Sequence, residues 1–250
     1  IKLLNKMKDF RNFNNMIQGE TAPAGTMVKA FMANVFAYMT GALAITGIIA
    51  YAFGTSPALL NYLVNPETGG MSMFGYVVMF APLLMVFGMT MAFNRLSSFV
   101  LMLLFIVFSI LMGMSMSFIF LAYTSASIAS TFAITSLTFG VMAVLGYTTN
   151  TDLTKFGSIL KMALIGIIIA MVINIFLGSE AIEFIISIAG VLIFIGLTAY
   201  DVQKLKRIGS GIEYDTQESS NKLAIVGALT LYLDFINLFM FLLRFLGDRK

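Results

Sequence analysis

The sequence predicts an all-α, polytopic membrane protein with seven transmembrane helices. Of its 250 residues, 59% are hydrophobic and only 11% are charged, whereas soluble domains average about 45–50% apolar and about 25% charged residues. The mean hydropathy is +0.94, and the uncharged runs reach the roughly 20 residues that a helix needs to cross a bilayer. A chain of this composition has too few polar residues to cover a water-facing surface.

The apolar runs are separated by short polar or charged segments. Residues 1–28 are polar and predict an N-terminal arm, followed by a transmembrane domain over residues 29–250. The run between Leu96 and Thr151 carries no charge and is too long for one helix, so it predicts two, hinged near residues 123–127. The predicted spans are residues 30–53, 71–93, two within 96–151, 156–177, one from about 180 to 206, and 223–246.

Lysine and arginine are distributed unevenly between alternate loops. Twelve lie in residues 1–29, after the second span, around the connection between the fourth and fifth spans, or between the sixth and seventh. The other side has three, Arg244, Arg249 and Lys250. The positive-inside rule then predicts a cytoplasmic N-terminus and, with seven spans, an external C-terminus. This bias accounts for the net charge of +3 without a nucleic-acid partner.

The composition also excludes several kinds of active site. With no cysteine and no histidine, the chain has no disulfide, thiolate metal site, Ser-His triad or histidine-ligated haem. No phosphate-binding loop of the G-x-x-x-x-G-K-[ST] type occurs. "GTSP" at 54–57 has only a faint likeness to a serine-protease loop, and the signatures of a two-aspartate intramembrane protease are absent. We therefore predict no enzyme and no resident cofactor.

Small residues recur inside the predicted spans. In membranes such residues usually mark places where two helices approach closely. The glycines in question are Gly140, Gly146, Gly166, Gly190, Gly196 and the one in "GMSMS" at 113–117.

Three ionisable residues occupy positions where lipid or packed helices are expected. Asp234 is central in the last apolar run, where an aspartate costs about 2.5–3.5 kcal/mol on insertion scales and normally faces a bundle interior. For Asp234 a functional role is favoured, although a structural ion pair remains an alternative. Taken alone, Asp201 at the inner end of the sixth span and Arg95 at the inner end of the second are better explained structurally, Asp201 by a place in the headgroup region and Arg95 as a cap on its helix end.

Two segments carry a family resemblance. "GLTAYDVQKLK" at 196–206 and "LYLDFINLFMFLLRFLG" at 231–247 resemble the two signature segments of the Bax inhibitor-1 family, the transmembrane Bax-inhibitor motif proteins. The segment 130–160 is similar to the family's fourth span and following loop, and "KAFMANVFAYMTGALAITG" fits its bacterial members. The resemblance runs from about residue 29 to 247 and leaves the arm outside.

The resemblance implies a seven-helix bundle in which the last helix is central, enclosed by the other six. It also implies a pH-sensitive calcium leak across the membrane, with calcium as the permeant ion. The family's pair of pH-sensing aspartates corresponds to Asp201 and Asp234, and a family arginine that latches the sixth-helix aspartate corresponds to Arg95.

Elementary electrostatics agrees with this implication. Two carboxylates held together in a low-dielectric bundle cannot both ionise cheaply, so they would share one proton. Loss of that proton makes them repel, and Arg95 could then claim Asp201, which gives a two-state element biased by pH. Ionised carboxylates are also hard oxygen ligands for a weak, transient Ca²⁺ site. Asn237 could add an oxygen, and Tyr200 and Tyr232 could donate hydrogen bonds; the direction of the pH response stays open.

A second function remains an alternative. Some bacterial relatives are thought to bind and restrain a membrane-anchored ATP-dependent protease, which would make the protein a non-enzymatic regulator with the arm 1–28 as the contact. Deleting the arm discriminates, because a leak should survive it. The lack of cysteine and the bacterial-type first span favour a bacterial inner membrane.

Overall fold

Seven long helices make up the bundle. The computed structural model describes residues 24–66, 68–212 and 217–250, which contain no β-strand apart from two isolated bridges. All seven helices are long and apolar enough to cross a membrane, which confirms the predicted count. They are α1 (Ala24–Thr55), α2 (Met73–Ala92), α3 (Ser98–Met116), α4 (Ser125–Thr148), α5 (Thr154–Leu177), α6 (Glu180–Arg207) and α7 (Gln217–Leu246). Short helical turns, Pro57–Leu60 and Ile119–Ala122, follow α1 and α3.

Local capping chemistry sets most of the boundaries. The side chains of Ser72, Ser97, Thr124 and Ser179 each accept a hydrogen bond from a backbone N–H in the first turn of the helix that follows. A serine or threonine at this position satisfies a donor that has no partner within the helix. Gly178 ends α5 with a φ of 60°, a left-handed conformation that glycine adopts without strain. The hinge predicted near residues 123–127 is confirmed by the N-cap at Thr124.

The last helix is the most enclosed one. In its most apolar stretch α7 is 72% buried, compared with 44% for α6 and 11% for α5. It packs closely on α1, α3, α4 and α6. The expectation that all six other helices enclose it needs correction, because α2 packs chiefly on α3, and α5 on α6. Four helices form the wall around α7, and α2 and α5 lie outside it.

The connection between α6 and α7 is shorter than predicted. The sequence predicted a polar separation over 208–221, but a single π turn, Ile208–Ile212, follows α6 directly, the chain turns at Gly211 with a φ of 85°, and α7 already begins at Gln217. Glu218 explains the early start: its carboxylate accepts hydrogen bonds of 2.7 Å from the backbone N–H and the hydroxyl of Ser98. The first turn of α7 is therefore tied to the start of α3.

Two sides of the bundle need names. The basic face carries the turn at 93–97, the linker at 149–153 and the α6–α7 connection. The C-terminal face carries residues 56–66, 68–72, 123–124, 178–179 and 247–250. The part of the predicted arm that covers residues 1–23 lies outside the described residues.

The prediction that glycines mark close helix contacts is right for some positions and wrong for others. At Gly140 and Gly166 an added Cβ would meet no heavy atom of another helix within 4 Å, because these two glycines do not face a neighbouring helix. A Cβ at any of four others would lie within 2.9 Å of an atom of another helix. These four are Gly113, Gly146, Gly190 and Gly196.

Candidate functional site

The two membrane-embedded acids meet between α6 and α7. Asp201 lies near the end of α6 and Asp234 in the middle of α7, and their carboxyl groups are within hydrogen-bonding reach of each other. The two residues are only 7% and 6% exposed. Asp234 is 17 residues from Gln217 and 12 from Leu246, so it lies about 26 Å and about 18 Å from the two ends of its helix. Neither end of the helix brings a headgroup within reach of this carboxyl.

Packing on both sides of the acids fixes their register. Towards the C-terminal face, the ring of Phe194 stacks on Phe241 with centroids 5.8 Å apart. Towards the basic face, the side chain of Leu205 lies against Gly227. Because α6 and α7 run antiparallel, these two contacts bracket the level at which Asp201 faces Asp234. The meeting of the acids is thus built by apolar packing rather than by the acids themselves.

One carboxyl oxygen of the pair lacks a donor. Oδ2 of Asp234 is the one fully buried side-chain oxygen or nitrogen in the described part of the chain that has no hydrogen-bond partner. Two ionised carboxylates have no hydrogen to share, and each buried acceptor without a donor costs about 1–3 kcal/mol. One proton held between the acids supplies a donor. The arrangement is therefore chemically suited to hold a single proton.

A cavity of about 540 Å³ opens beside the acids, between α5, α6 and α7. It exists because α5 packs on α6 but not closely on α7. Besides the two acids, its polar lining consists of Lys161, Thr230, Asn237 and Arg244. The side-chain N–H of Asn237 donates to the carbonyl of Leu233 at 2.8 Å, so its side-chain oxygen is the group that can act as a ligand. The predicted position of Asn237 in the site agrees with this geometry.

The tyrosines predicted as supporting residues do not contact the acids. Tyr232 is fully buried, and its hydroxyl lies 2.7 Å from that of Thr46 on α1. Because the Thr46 hydroxyl itself donates to the carbonyl of Ser109 at 2.9 Å, the tyrosine hydroxyl is the donor. Two residues along a helix correspond to about 200° of rotation, so Tyr232 and Asp234 point to nearly opposite sides of α7.

Tyr200 has a different neighbour from the one predicted. Its ring packs where a side chain on Gly157 would stand. Its hydroxyl lies 3.5 Å from Nζ of Lys161, and that ammonium sits 4.7 Å from the ring centroid. Tyr200 therefore holds Lys161, which sequence reasoning had counted only as a charge near the start of the fifth span.

Arg95 is not part of the site in this conformation. It lies exposed in the turn after α2 and forms no ion pair with a described residue. The physical reason is that α2 packs chiefly on α3, which itself does not pack closely on α6. The pairing of Arg95 with Asp201 stays a prediction for another conformation.

Next to Asp201, the side chains of Gln203 and Arg207 hold the 149–153 linker on the basic face; we call this set of contacts the staple. Gln203, only 6% exposed, donates to the carbonyl of Thr151 at 2.8 Å and accepts from the N–H of Leu153 at 2.9 Å. Arg207 pairs with Asp152 in the same linker. Hydrogen bonds from Thr154 and Arg207 hold the pKa of Asp152 well below its usual range. The staple anchors the 149–153 linker to the end of α6.

Ion pairs and a short bridge close the C-terminal face. Glu183 on α6 lies 2.8 Å from Arg249 and 3.9 Å from Arg244, which also lines the cavity. The chain from Gly247 to Lys250 pairs with the connection before α4, where the N–H of Lys250 donates to the carbonyl of Ala122 at 2.9 Å. Arg244 therefore belongs both to the wall of the cavity beside the acids and to a second cavity of about 290 Å³ at the C-terminal face, which Glu183 and Arg249 also line.

No cluster of three or more His, Cys, Asp or Glu side chains occurs in the described ranges. Stable Ca²⁺ sites take six to eight oxygen ligands. The two carboxyls and the Asn237 oxygen are the ligands that this cavity offers, which suits a weak, transient contact with a divalent cation.

Residues 28–250 match the family model described as "Inhibitor of apoptosis-promoting Bax1". The chain belongs to the Bax inhibitor-1 family. Inner membrane protein YbhL of Escherichia coli K12 is 44% identical over 225 residues, covering 89% of this chain and 93% of YbhL. An uncharacterized protein of Borreliella burgdorferi is 45% identical, with 88% and 92% covered. Another, RP147 of Rickettsia prowazekii, is 42% identical, with 89% and 91% covered. As a Bax inhibitor-1 family member with seven helices long enough to cross a bilayer, the protein is an integral membrane protein.

Proposed function

We propose that this protein is a non-enzymatic, pH-sensitive calcium leak whose gate is the Asp201–Asp234 pair. One observation carries the proposal: two carboxyls in contact, one with a donorless buried oxygen, line a cavity inside a membrane-spanning bundle. A membrane-buried acid of this kind is costly, and such residues typically mark ion pathways or proton relays.

The gate works through the charge of the pair. With one proton shared, the acids hold α6 and α7 together across the cavity. When the proton leaves, two like charges in a low-dielectric site repel, and the packing between the helices must adjust. Both carboxylates then become oxygen ligands for a passing Ca²⁺, and a site with so few ligands releases the ion again, as conduction requires.

A flux experiment tests the proposal. The purified protein is reconstituted into liposomes, and Ca²⁺ entry is recorded with an enclosed indicator from mildly acidic to mildly alkaline pH. The wild type is expected to pass Ca²⁺ with a sigmoidal pH dependence. Asp201→Asn and Asp234→Asn each leave one acid of the pair with no second carboxylate to repel it, so each should flatten the profile.

Glu180→Gln is the matched control, because it removes one exposed carboxylate at the C-terminal face without touching the pair. It should keep the wild-type profile. Two Asp→Asn variants with unchanged pH profiles would show that the acids do not gate the flux, and a wild type that passes no Ca²⁺ would refute the leak itself.

The regulator alternative keeps its own test. It depends on the arm 1–28, most of which lies outside the described residues, and no described contact favours it. Deletion of residues 1–28 should abolish an arm-mediated interaction with a membrane-bound protease while leaving the Ca²⁺ flux intact.

A further inference from the structure

Lys161 shares the cavity with the acid pair. It lies seven residues after Thr154, where α5 begins, so its Cα is about 10 Å along the helix axis into a membrane-spanning segment. Its ammonium rests on Tyr200, the residue that precedes Asp201, at 3.5 Å from the hydroxyl and 4.7 Å from the ring centroid. A lysine stem is long and flexible, so this ammonium can reach different points of the same cavity.

The other charged groups around the acids are engaged elsewhere or remote. On α7, Arg244 stacks on the ring of Phe241 and lies 3.9 Å from Glu183. On α6, Lys204 is exposed and does not line the cavity, whereas Lys161, which is also exposed, lines the cavity together with both acids. The described residues of α3 and α4 carry no charge, and α1 contributes only Lys29 in its first turns. Lys161 is thus the one cation of the described cavity lining with no carboxylate within 4.0 Å.

We propose that Lys161 is a tethered cation, that is, an ammonium attached to the cavity wall by its own side chain, which competes with Ca²⁺ for the acid pair. When Ca²⁺ binds the acids, the ammonium stays on Tyr200. The inference rests on the proposed function. With one proton shared, the pair carries one negative charge, which the nearby ammonium balances without a direct ion pair. With no proton, the pair carries two negative charges. Either the Lys161 ammonium then moves into contact with the acids, or a Ca²⁺ ion binds them and neutralises their charge.

Charge balance shows why the two cations exclude each other. The doubly ionised pair and one Ca²⁺ sum to zero, so an ammonium in direct contact would leave an uncompensated positive charge in a low-dielectric site. Binding of Ca²⁺ therefore requires that Lys161 stay on Tyr200, where the ring face offers a cation–π contact. The ring is fixed there because Gly157 leaves the space that it fills.

Removal of the charge gives a measurable result. Lys161→Met keeps the apolar stem but removes the ammonium, so the acids hold their proton more firmly. The midpoint of the pH profile of Ca²⁺ flux should rise by about half to one pH unit, less than for a direct ion pair. Ca²⁺ binding at alkaline pH, measured by equilibrium dialysis of detergent-purified protein, should tighten roughly threefold to tenfold.

Two matched variants separate charge from structure. Lys161→Arg keeps a cation that can also stack on Tyr200 and should retain the wild-type midpoint and affinity. Lys155→Met removes an exposed lysine from the same helix and should also leave both unchanged.

The outcomes distinguish this inference from the proposed function. Unchanged Ca²⁺ affinity in Lys161→Met overturns the competition, whatever the flux shows. If Asp201→Asn abolishes the pH dependence while Lys161→Met keeps the wild-type midpoint, the acid pair is supported as the gate and the proposed role of Lys161 is refuted. An equal shift in Lys161→Arg assigns the effect to side-chain shape and also overturns the inference.

Discussion

Asp234 and Tyr232 lie two residues apart on α7 and have opposite surroundings. Asp234 faces a cavity, with one oxygen that no described donor satisfies. Tyr232 is packed on the other side against Phe105 and Phe108 in edge-to-face contacts, with centroids 6.0 Å and 5.4 Å away. Its hydroxyl completes a chain of hydrogen bonds from α7 through Thr46 on α1 to α3. One face of the helix is left adjustable, and the other is fixed to the bundle.

The fixed face predicts an asymmetry between two substitutions. Tyr232→Phe removes a donor but leaves the Thr46 hydroxyl bonded to Ser109, so it should destabilise the fold by about 0.5–1 kcal/mol. Thr46→Val leaves the buried Tyr232 hydroxyl with no acceptor and should cost more, about 1–3 kcal/mol. Thermal unfolding in detergent measures both. Equal losses, or a changed pH profile of Ca²⁺ flux in Tyr232→Phe, would show that the two faces are not independent.

At the scale of the helix, orientation was harder to predict from sequence than position. The extent of each span followed from uncharged runs, and the depth of Asp234 followed from its place in one of them. The partners of the Tyr232 hydroxyl did not, because Thr46 and Ser109 lie on α1 and α3, and only the packing of these helices brings them to Tyr232. Lys161 was missed for a related reason: a lysine near a span end predicts a headgroup contact, and only packing shows which cavity it enters.

The packing of α4 on α6 supports the acid from outside the site. A Cβ on Gly146 would lie 2.3 Å from the carbonyl oxygen of Ala199, two residues before Asp201, and this neighbour is backbone that cannot rotate away. Gly146→Ala should therefore push α4 from α6, destabilise the fold by about 1–3 kcal/mol and alter the pH profile of Ca²⁺ flux. Gly140→Ala on the same helix meets nothing within 4 Å and is the control.

Because alanine is the better helix former, Gly140→Ala should be neutral or slightly stabilising in thermal unfolding. If Gly146→Ala proves equally harmless, the close approach of α4 and α6 is not required for stability. If it destabilises the fold but leaves the pH profile intact, the contact does not position Asp201.

The staple on the basic face is insensitive to pH near neutrality. The pKa of Asp152 is lower in the folded protein than in the unfolded chain, so its contribution to folding stability is fully present above the unfolded pKa. That contribution is lost only as the pH falls through the folded pKa, which lies well below the usual range. Asp152 therefore stays ionised and paired with Arg207 throughout the range of the flux assay. A pH response near neutrality must therefore come from another group, and the acid pair is the source that we propose.

Across the whole molecule, polar groups form a line through an apolar bundle. The line begins at the staple around Gln203, passes Lys161 and the acid pair, continues along Asn237 and ends at Arg244 and Glu183. The side chains at both ends are held by hydrogen bonds or ion pairs, and the middle is a cavity. We propose this line of polar groups as the route of Ca²⁺ in the leak.

The twelve-to-three bias of Lys and Arg predicts the direction of this line relative to the cell, and the cysteine-free sequence allows a direct test of that prediction. Asn150→Cys places one thiol in the 149–153 linker of the basic face, and Thr68→Cys places one in the exposed loop before α2. A thiol reagent that cannot cross the inner membrane should label Thr68→Cys on intact cells and Asn150→Cys only after lysis, because positive loops stay in the cytoplasm. The cysteine-free parent reports the background, and the opposite labelling pattern would reverse the orientation of the whole bundle.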